Sequence, residues 1–270
     1  MTDDTTTTVS PTLLDTTVPH SARVYDYWLG GKDNFSADRA VGDAMIHAAP
    51  GIRAMTWQNR LFTHRVARHM LDEGIRQFLD IGAGIPRSPN LHEITQRIDP
   101  SCRIAYVDND PLVLTHIRAL MLSHPDGRIA DLRADLREPA TILTAPALHD
   151  TLDLTRPVGV TLTAVLMQLT DTDDPWTAVA QLRDALPSGS CLAITHPTAD
   201  FNPHEMTTAV DAATTAGMTL VARTRAAVEE FFGDWQLLEP SVVPVSAWRP
   251  DEPVDNPHAA YYWAGLARKQ

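Results

Sequence analysis

The sequence predicts an α/β protein: a seven-stranded, mostly parallel sheet with helices on both faces, an antiparallel hairpin at one edge and a helical cover on the N-terminal side. Two observations predict the sheet. From residue 77 onward, short apolar runs of strand length alternate with stretches of helical periodicity, the pattern of a doubly wound sheet. The last two apolar runs have no helix between them, so they should pair antiparallel. A third observation sets the boundary, because before residue 76 the chain shows helical spacing alone. The expected division is a disordered tail over residues 1–17, a helical cap over 18–75 and the sheet domain over 76–270.

The elements follow in order. Residues 1–17 are rich in Thr and Asp and lack periodicity. A helix over 20–29 stops at Gly30-Gly31. A second helix over 36–49 has Ser36 as its expected cap and Pro50-Gly51 as its break. In the third, 52–73, Met55, Phe62, Val66 and Met70 recur near helical spacing, and Gly74 closes it. The first strand, 77–81, runs into Gly82-Ala83-Gly84, and a helix over 90–98 follows. A second strand (103–107), a helix (111–123), a third strand (127–134) and a short helix (140–143) come next. Residues 158–164 are continuously apolar, as buried parallel strands are. A helix (175–186), a fifth strand (191–195), two more helices (204–217 and 226–232) and the hairpin runs 235–248 and 260–267 complete the chain.

The bulk composition narrows the function. The chain has 270 residues, 44% of them hydrophobic and 21% charged, which is ordinary for a globular protein able to bury a large core. Its formal net charge of −12 argues against a general grip on nucleic acid, although a local basic patch stays open. Cys102 and Cys191 form no CxxC pair, so they read as buried thiols in a reducing compartment, and no metal site is expected. The first residues have neither a basic start nor a signal-peptide apolar run, and no later run reaches membrane-spanning length. The expectation is a cytoplasmic protein with no membrane partner.

Three motifs carry chemistry. A glycine loop at the carboxyl end of a first strand, here Leu79-Asp80-Ile81-Gly82-Ala83-Gly84, lets a ligand approach the backbone closely. The dinucleotide fingerprint wants a third glycine where this chain has Arg87, and Asp80 before the loop suits an ammonium group better than a pyrophosphate. At the end of the second strand Asp108, with Asn109 beside it, can accept from both hydroxyls of a ribose. Asp110 before Pro111 reads as a helix cap. After the third strand, Asp135 can accept from an adenine amino group while Leu136 packs on the ring. Each acid alone could serve a turn or a cap. Three of them at the ends of three consecutive strands face one edge of the sheet. S-adenosylmethionine (SAM) carries an ammonium, a ribose and an adenine but no pyrophosphate, and would suit all three.

With these motifs on the page, the chain resembles the bacterial S-adenosyl methyltransferase family, whose members mostly lack an assigned substrate. The resemblance covers residues 19–269. It rests on Ser21-Ala22-Arg23-Val24-Tyr25-Asp26-Tyr27-Trp28-Leu29-Gly30-Gly31-Lys32-Asp33-Asn34-Phe35, on the glycine loop through Pro86, on Asn90-Leu91-His92-Glu93, on Tyr106-Val107-Asp108-Asn109-Asp110-Pro111 and on Ala134-Asp135-Leu136-Arg137. It implies a Rossmann-like class I methyltransferase fold with SAM as cofactor, Asp80, Gly82, Ala83 and Gly84 at the methionine end, and Ala164 and Val165 as the floor beside the methyl group. After the fourth strand such proteins usually carry a Leu-His-Phe-type stretch followed by Pro-Asp. This chain reads Leu166-Met167-Gln168-Leu169-Thr170-Asp171, which leaves acceptor choice and catalysis open.

The aromatics Tyr25, Tyr27 and Trp28 fit either a lid over the sulfonium or the core of the cap, and Tyr27 is taken as a cofactor contact. His196, at the end of the fifth strand, is the candidate general base, with a hydrogen-bonded loop histidine as the alternative. Methyl transfer from a sulfonium can also proceed by alignment and desolvation alone. The expected function is SAM-dependent methyl transfer to a small-molecule acceptor. A SAM-binding regulatory or non-catalytic protein is the alternative. An NAD-dependent oxidoreductase is a distant third, disfavoured by Arg87.

Overall fold

The computed structural model describes residues 15–270. Of the expected N-terminal tail, residues 1–14 lie outside the described residues. Residues 15–17 form a turn in which the Thr17 N–H and hydroxyl donate to Asp15, and Arg23 donates to the Val18 carbonyl at 2.9 Å.

Three helices precede the sheet: α1 (Ser21–Trp28), α2 (Ser36–Ala48) and α3 (Ile52–Asp72). They differ from the sequence reading at one cap. Ser36 is the first residue inside α2, and the carboxylate of Asp38 reaches back to accept from Phe35 N at 2.8 Å and from His20 N at 2.9 Å. Asp38 is fully buried, so one side chain satisfies the amide that precedes α2 and fixes the start of α1 against it.

The sheet alternates with helices as expected: β1 (Gln77–Ile81), α4 (Leu91–Ile98), β2 (Arg103–Asp108), α5 (Pro111–Leu120), β3 (Arg128–Arg133), α6 (Pro139–Leu143), α7 (Pro146–Thr151), β4 (Gly159–Thr163), α8 (Pro175–Asp184) and β5 (Cys191–Pro197). Then come α9 (Pro203–Thr215), α10 (Arg225–Glu230), β6 (Gln236–Leu237), β7 (Val243–Pro244) and β8 (Tyr262–Arg268). The strand order is β3-β2-β1-β4-β5-β8-β6, with β7 also on β8. Strands β1 to β5 run parallel, whereas β8 is antiparallel to β5, β6 and β7. The antiparallel pairing of the last runs is as predicted, but the run 235–248 is two short strands, which gives eight strands where seven were expected. Pro240 offers no N–H to a ladder, and Ser241 sits at φ +70, so the chain leaves the sheet between β6 and β7. Helix α7 was not foreseen, since its 6 residues are too few to show periodicity.

Every residue of β1 is buried, as a central parallel strand requires. Alternation sorts its side chains. Phe78 joins the core beneath α1, α3 and α9, while Leu79 and Ile81 join the core on the opposite face with Val160, Leu162 and Ile194. Asp80 therefore lies on the Phe78 face, the side of the N-terminal helices. The same rule places Asp108 on that side, two residues after Tyr106 in β2.

Long-range bonds hold the N-terminal helices to the sheet. Arg65 of α3, only 7% exposed, donates from Nε to Trp248 O and from Nη2 to Val245 O, both at 2.8 Å. Phe62 meets the Trp248 ring edge-on at 5.2 Å, and α2 packs on α9. Replacing Arg65 with Met should lower stability by about 2 kcal/mol, because two buried carbonyls lose charge-assisted donors. Urea denaturation checks this, and an unchanged midpoint would show that the bonds contribute nothing net.

Candidate functional site

The strand order reverses beside β1, which has β2 on one side and β4 on the other. Ligands of open α/β sheets bind at such a switch point, outside the carboxyl ends of the strands. There the structure has a cavity of about 340 Å³. Its sheet side is lined by Asp80, Gly82, Ala83, Gly84, Asp108, Asn109, Asp135, Leu136, Ala164 and Val165. Its roof is α1 and α3, with His20, Tyr25, Asp26, Asn59, Arg60 and His64. Ten of the twelve residues singled out from the sequence thus share one cavity, and two do not.

The glycine loop is shaped by two different demands. Gly82 has φ +79, and a Cβ there would lie 2.6 Å from Cβ and Cγ2 of Val165. Gly84 has φ +65 but nothing within 4 Å of a would-be Cβ, so it leaves open space. The amides of Gly82 and Ala83 both donate to Val107 O, at 2.8 and 3.1 Å. Gly84 N donates to Asp108 Oδ2 at 2.9 Å, and Asp110 N donates to Asp108 Oδ1 at 2.9 Å. Each Asp108 oxygen keeps a lone pair. Burial pushes its carboxyl above the usual range, against the pull of those two amides.

Asp110 caps α5 through Leu112 N at 2.8 Å, as expected, and its other oxygen meets His20 Nδ1 at 3.1 Å. Asp80 accepts from the Thr161 hydroxyl. Burial lifts its carboxyl to about 6, with Thr161 and the Arg60 charge opposing that rise. Asp135 behaves in the opposite way. Arg137 grips it with Nε at 2.9 Å, Nη2 at 2.7 Å and its own N–H at 2.9 Å, while Asn109 Nδ2 donates at 3.0 Å. These bonds, the Arg137 side chain first, hold Asp135 at about 2. Four donors occupy a carboxylate with about four lone-pair sites, so any further donor must displace one.

After β4 the chain turns sharply. Ala164 has φ +55, a left-handed conformation that costs an L-residue about 1–2 kcal/mol, and its N–H is held by Thr195 Oγ1 at 2.9 Å. The turn leads into the 3₁₀ segment Leu166–Gln168, where Met167 and Gln168 also line the cavity. Arg223, unforeseen in the sequence and 5% exposed, fastens this segment. It donates to Leu166 O, Leu169 O and Asp171 Oδ1, at 3.2, 3.0 and 2.7 Å.

His196 is a correction. It was expected as a general base, yet it is fully buried and does not line the cavity. Its Nε2 lies 2.9 Å from Arg223 Nη1, and its Nδ1 lies 2.9 Å from Pro197 O. A guanidinium has only donors, so Nε2 must be the acceptor and Nδ1 carries the proton. Burial pushes the imidazole down to about 3. It is a neutral brace for Arg223 and cannot take a proton from a bound acceptor.

Tyr27 is the second correction. Its hydroxyl donates to Asp43 at 2.6 Å, Arg53 lies over its ring at 5.2 Å, and it faces away from the cavity. Tyr25 lines the cavity in its place, and Trp28 is core, donating to Gly42 O at 3.2 Å. Residues two apart on a helix point to nearly opposite sides. The roof residues on α3, Asn59, Arg60, Thr63 and His64, went unread because only the apolar positions of that helix were counted. Their repetition one turn apart was the available signal. Asp26 also went unread. Its Oδ2 accepts from Asp33 N at 3.0 Å and Asn34 Nδ2 at 2.8 Å, and a Cβ on Gly31 would lie 1.7 Å from its Oδ1. The Gly-Gly-Lys-Asp-Asn stretch is therefore a turn wrapped around one buried carboxylate.

The S-adenosyl methyltransferase family model matches residues 7–270. A DUF574 family protein from Streptomyces avermitilis MA-4680 is 45% identical, with a TM-score of 0.92, and the match covers 95% of this chain and 99% of that one. A Thermobifida fusca YX protein solved as a candidate methyltransferase is 39% identical, with a TM-score of 0.88 and coverage of 97% and 99%. The plantazolicin methyltransferase BpumL, solved with S-adenosylhomocysteine, is 12% identical at a TM-score of 0.50, over 92% of this chain and 95% of that one, and shares the fold. No curated protein matches the chain.

The two loop glycines should respond unequally to alanine. Gly84→Ala meets only the backbone cost, about 1 kcal/mol, whereas Gly82→Ala adds the clash with Val165. Thermal denaturation should show the larger drop for Gly82→Ala, and equal drops would mean that Val165 yields freely.

Proposed function

The chain belongs to the S-adenosyl methyltransferase family, whose model spans residues 7–270, and from that premise we propose that it transfers the SAM methyl group to a small-molecule acceptor. One observation carries the site assignment. The acids at the ends of three adjacent strands, Asp80, Asp108 and Asp135, lie with the glycine loop in one roofed cavity.

The residues fit the cofactor. The missing Cβ of Gly84 leaves room at the backbone, and Asn59 Oδ1 is buried without a partner. In this reading Asp80 takes the methionine ammonium beside residues 82–84. Asp108 accepts from the ribose hydroxyls with the lone pairs its two amides leave free, and Asn109 lies next to it. Leu136 packs on the adenine, and Asp135 receives the adenine amino group by releasing the Asn109 amide. Ala164 and Val165 form the floor near the methyl group. Residues 18–75 act as a cap over the site, and residues 76–270 form the cofactor-binding domain.

When bound, SAM supplies an electrophilic methyl group on a sulfonium. The chain's own part is to orient the acceptor and exclude water. With His196 committed to Arg223, alignment under the cap is the mode that the geometry supports. The net charge of −12 and the roofed cavity both favour a small acceptor over a nucleic acid. Among the described residues no helix is long and apolar enough to cross a membrane.

Calorimetric titration with SAM, S-adenosylhomocysteine and NADH tests the reading. Binding of the first two alone is expected, and a small-molecule panel scored for S-adenosylhomocysteine release then identifies the acceptor. Asp108→Ala should weaken SAM at least about tenfold, since it removes bonds to a charged acceptor; unchanged affinity would remove the ribose assignment. The affinity should also depend on pH. The ammonium needs the Asp80 carboxylate, which burial pushes up to about 6 against the Thr161 hydroxyl and the Arg60 charge, with Asp108 adding to the rise. SAM affinity should be highest near pH 7, fall about tenfold per unit well below pH 6 as Asp80 takes a proton, and fall again at alkaline pH as the SAM amino group loses its own. Asp80→Asn should abolish the acid-side slope, and an acid-side slope that survives the substitution belongs to another group.

A further inference from the structure

We propose that Arg60 is the counter-ion for the carboxylate of the SAM methionine, so that α3 of the cap reads the anionic end of the cofactor while Asp80 on the sheet reads its cationic end. The proposal deepens the SAM reading above and rests on it.

The methionine end is a zwitterion, and the sheet side of the cavity supplies only half of its complement. The Lys and Arg residues lining the cavity are Arg60 and Arg137. Arg137 is bound bidentately to Asp135. His20 Nδ1 accepts from Ala22 N at 3.3 Å, and burial pushes His64 down to about 4, so His64 is neutral. Arg60 is the cation left for a ligand.

Its surroundings agree. Arg60 Nη2 donates to Pro89 O at 2.8 Å, which holds the guanidinium over the segment that follows the glycine loop. Among the described residues no carboxylate lies within ion-pairing distance of Arg60, and its Nε is buried with no partner. Withdrawing a charge from water without an opposite charge is costly. A planar fork with free donors, beside the loop that receives the methionine, matches a carboxylate.

The neighbouring Asn59 adds an acceptor suited to the ammonium of the same ligand. The Tyr25 hydroxyl donates to Thr56 O at 3.2 Å, so it must accept from Asn59 Nδ2, which lies at 2.8 Å. That fixes the amide orientation and leaves Asn59 Oδ1 buried, unpartnered and available to a donor. Asn59 is 3% exposed and lines the same cavity. Cap and sheet thus present an acceptor–cation pair and an acid to a ligand bearing both charges.

The test compares SAM with its decarboxylated analogue, S-adenosyl-3-methylthiopropylamine, by calorimetry on the wild-type chain, Arg60→Met and Arg60→Lys. Wild type should prefer SAM by about tenfold or more. Arg60→Met should bring SAM down to the level of the analogue and leave the analogue within about twofold. Arg60→Lys should keep part of the preference, and it serves if the Met variant does not fold. Equal affinity of wild type for the two ligands would overturn the proposal. Equal weakening of both ligands by Arg60→Met would overturn it in favour of a structural role. If wild type binds neither these ligands nor S-adenosylhomocysteine, the SAM reading itself fails, a result distinct from either.

Discussion

Both oxygens of Asp108 are bonded to backbone amides, Gly84 on one side and Asp110 on the other, and the layout of the cavity follows from that clamp. Gly84 can turn its N–H toward the carboxylate because φ +65 is open to it without strain. Asp110, positioned by the same carboxylate, is left to cap α5 with one oxygen and to meet His20 with the other. His20 in turn gives its N–H to Asp38 of α2. One buried acid thus ties the glycine loop to the β2–α5 turn, and Asp110 brings a carboxylate oxygen to 3.1 Å from His20 and 3.9 Å from Arg23 at the start of the roof.

Polar residues hold the roof in place, some of them at the cavity wall. Asp26 organises the Gly-Gly-Lys-Asp-Asn turn, and Arg39 closes it by donating to Asn34 O and Oδ1 at 2.9 and 3.1 Å. The most distinctive stretch of the sequence is thus explained first by folding: Gly31 is required by contact with Asp26. The part of the roof that offers free polar atoms to the cavity is α3. Its Arg65 face is bonded into the late 3₁₀ turn Val245–Ala247 and its Asn59–Arg60 edge is open. On that edge Arg60 Nε and Asn59 Oδ1 keep no partner, although Arg60 Nη2 and Asn59 Nδ2 are bonded to Pro89 O and the Tyr25 hydroxyl.

The fold was legible where burial writes itself into the sequence. Strands β1, β4 and β5 are apolar runs because both of their faces are covered, and the acids that end β1 and β2 stand out against them. The split of run 235–248 was not legible, since apolar content is high throughout and only Pro240 and Ser241 break the ladder. The two misplaced site residues share a cause. Tyr27 and His196 were chosen by chemistry and chain position, while their directions depend on helix phase and on a distant partner. Nothing near residue 196 announces Arg223, which arrives from beyond α9. Asn59 and His64 were hidden for a related reason: a polar residue on a helix looks solvated until the helix is known to roof a cavity.

The loss of His196 as a base changes what the region after β4 must do. Arg223 needs an uncharged acceptor on its inner side, because a protonated imidazole 2.9 Å away would repel it. A histidine held neutral by burial meets that need. Braced in this way, Arg223 holds the carbonyls of Leu166 and Leu169 and the carboxylate of Asp171. The segment bearing Met167 and Gln168 is therefore fixed at the cavity wall, although its backbone enters through the strained Ala164. A thioether and a neutral amide supply no base there, and Met167 Sδ already accepts from Tyr262 at 3.7 Å. This stretch of the wall is uncharged, and in the proposed reading it contributes by aligning the reactants and excluding water.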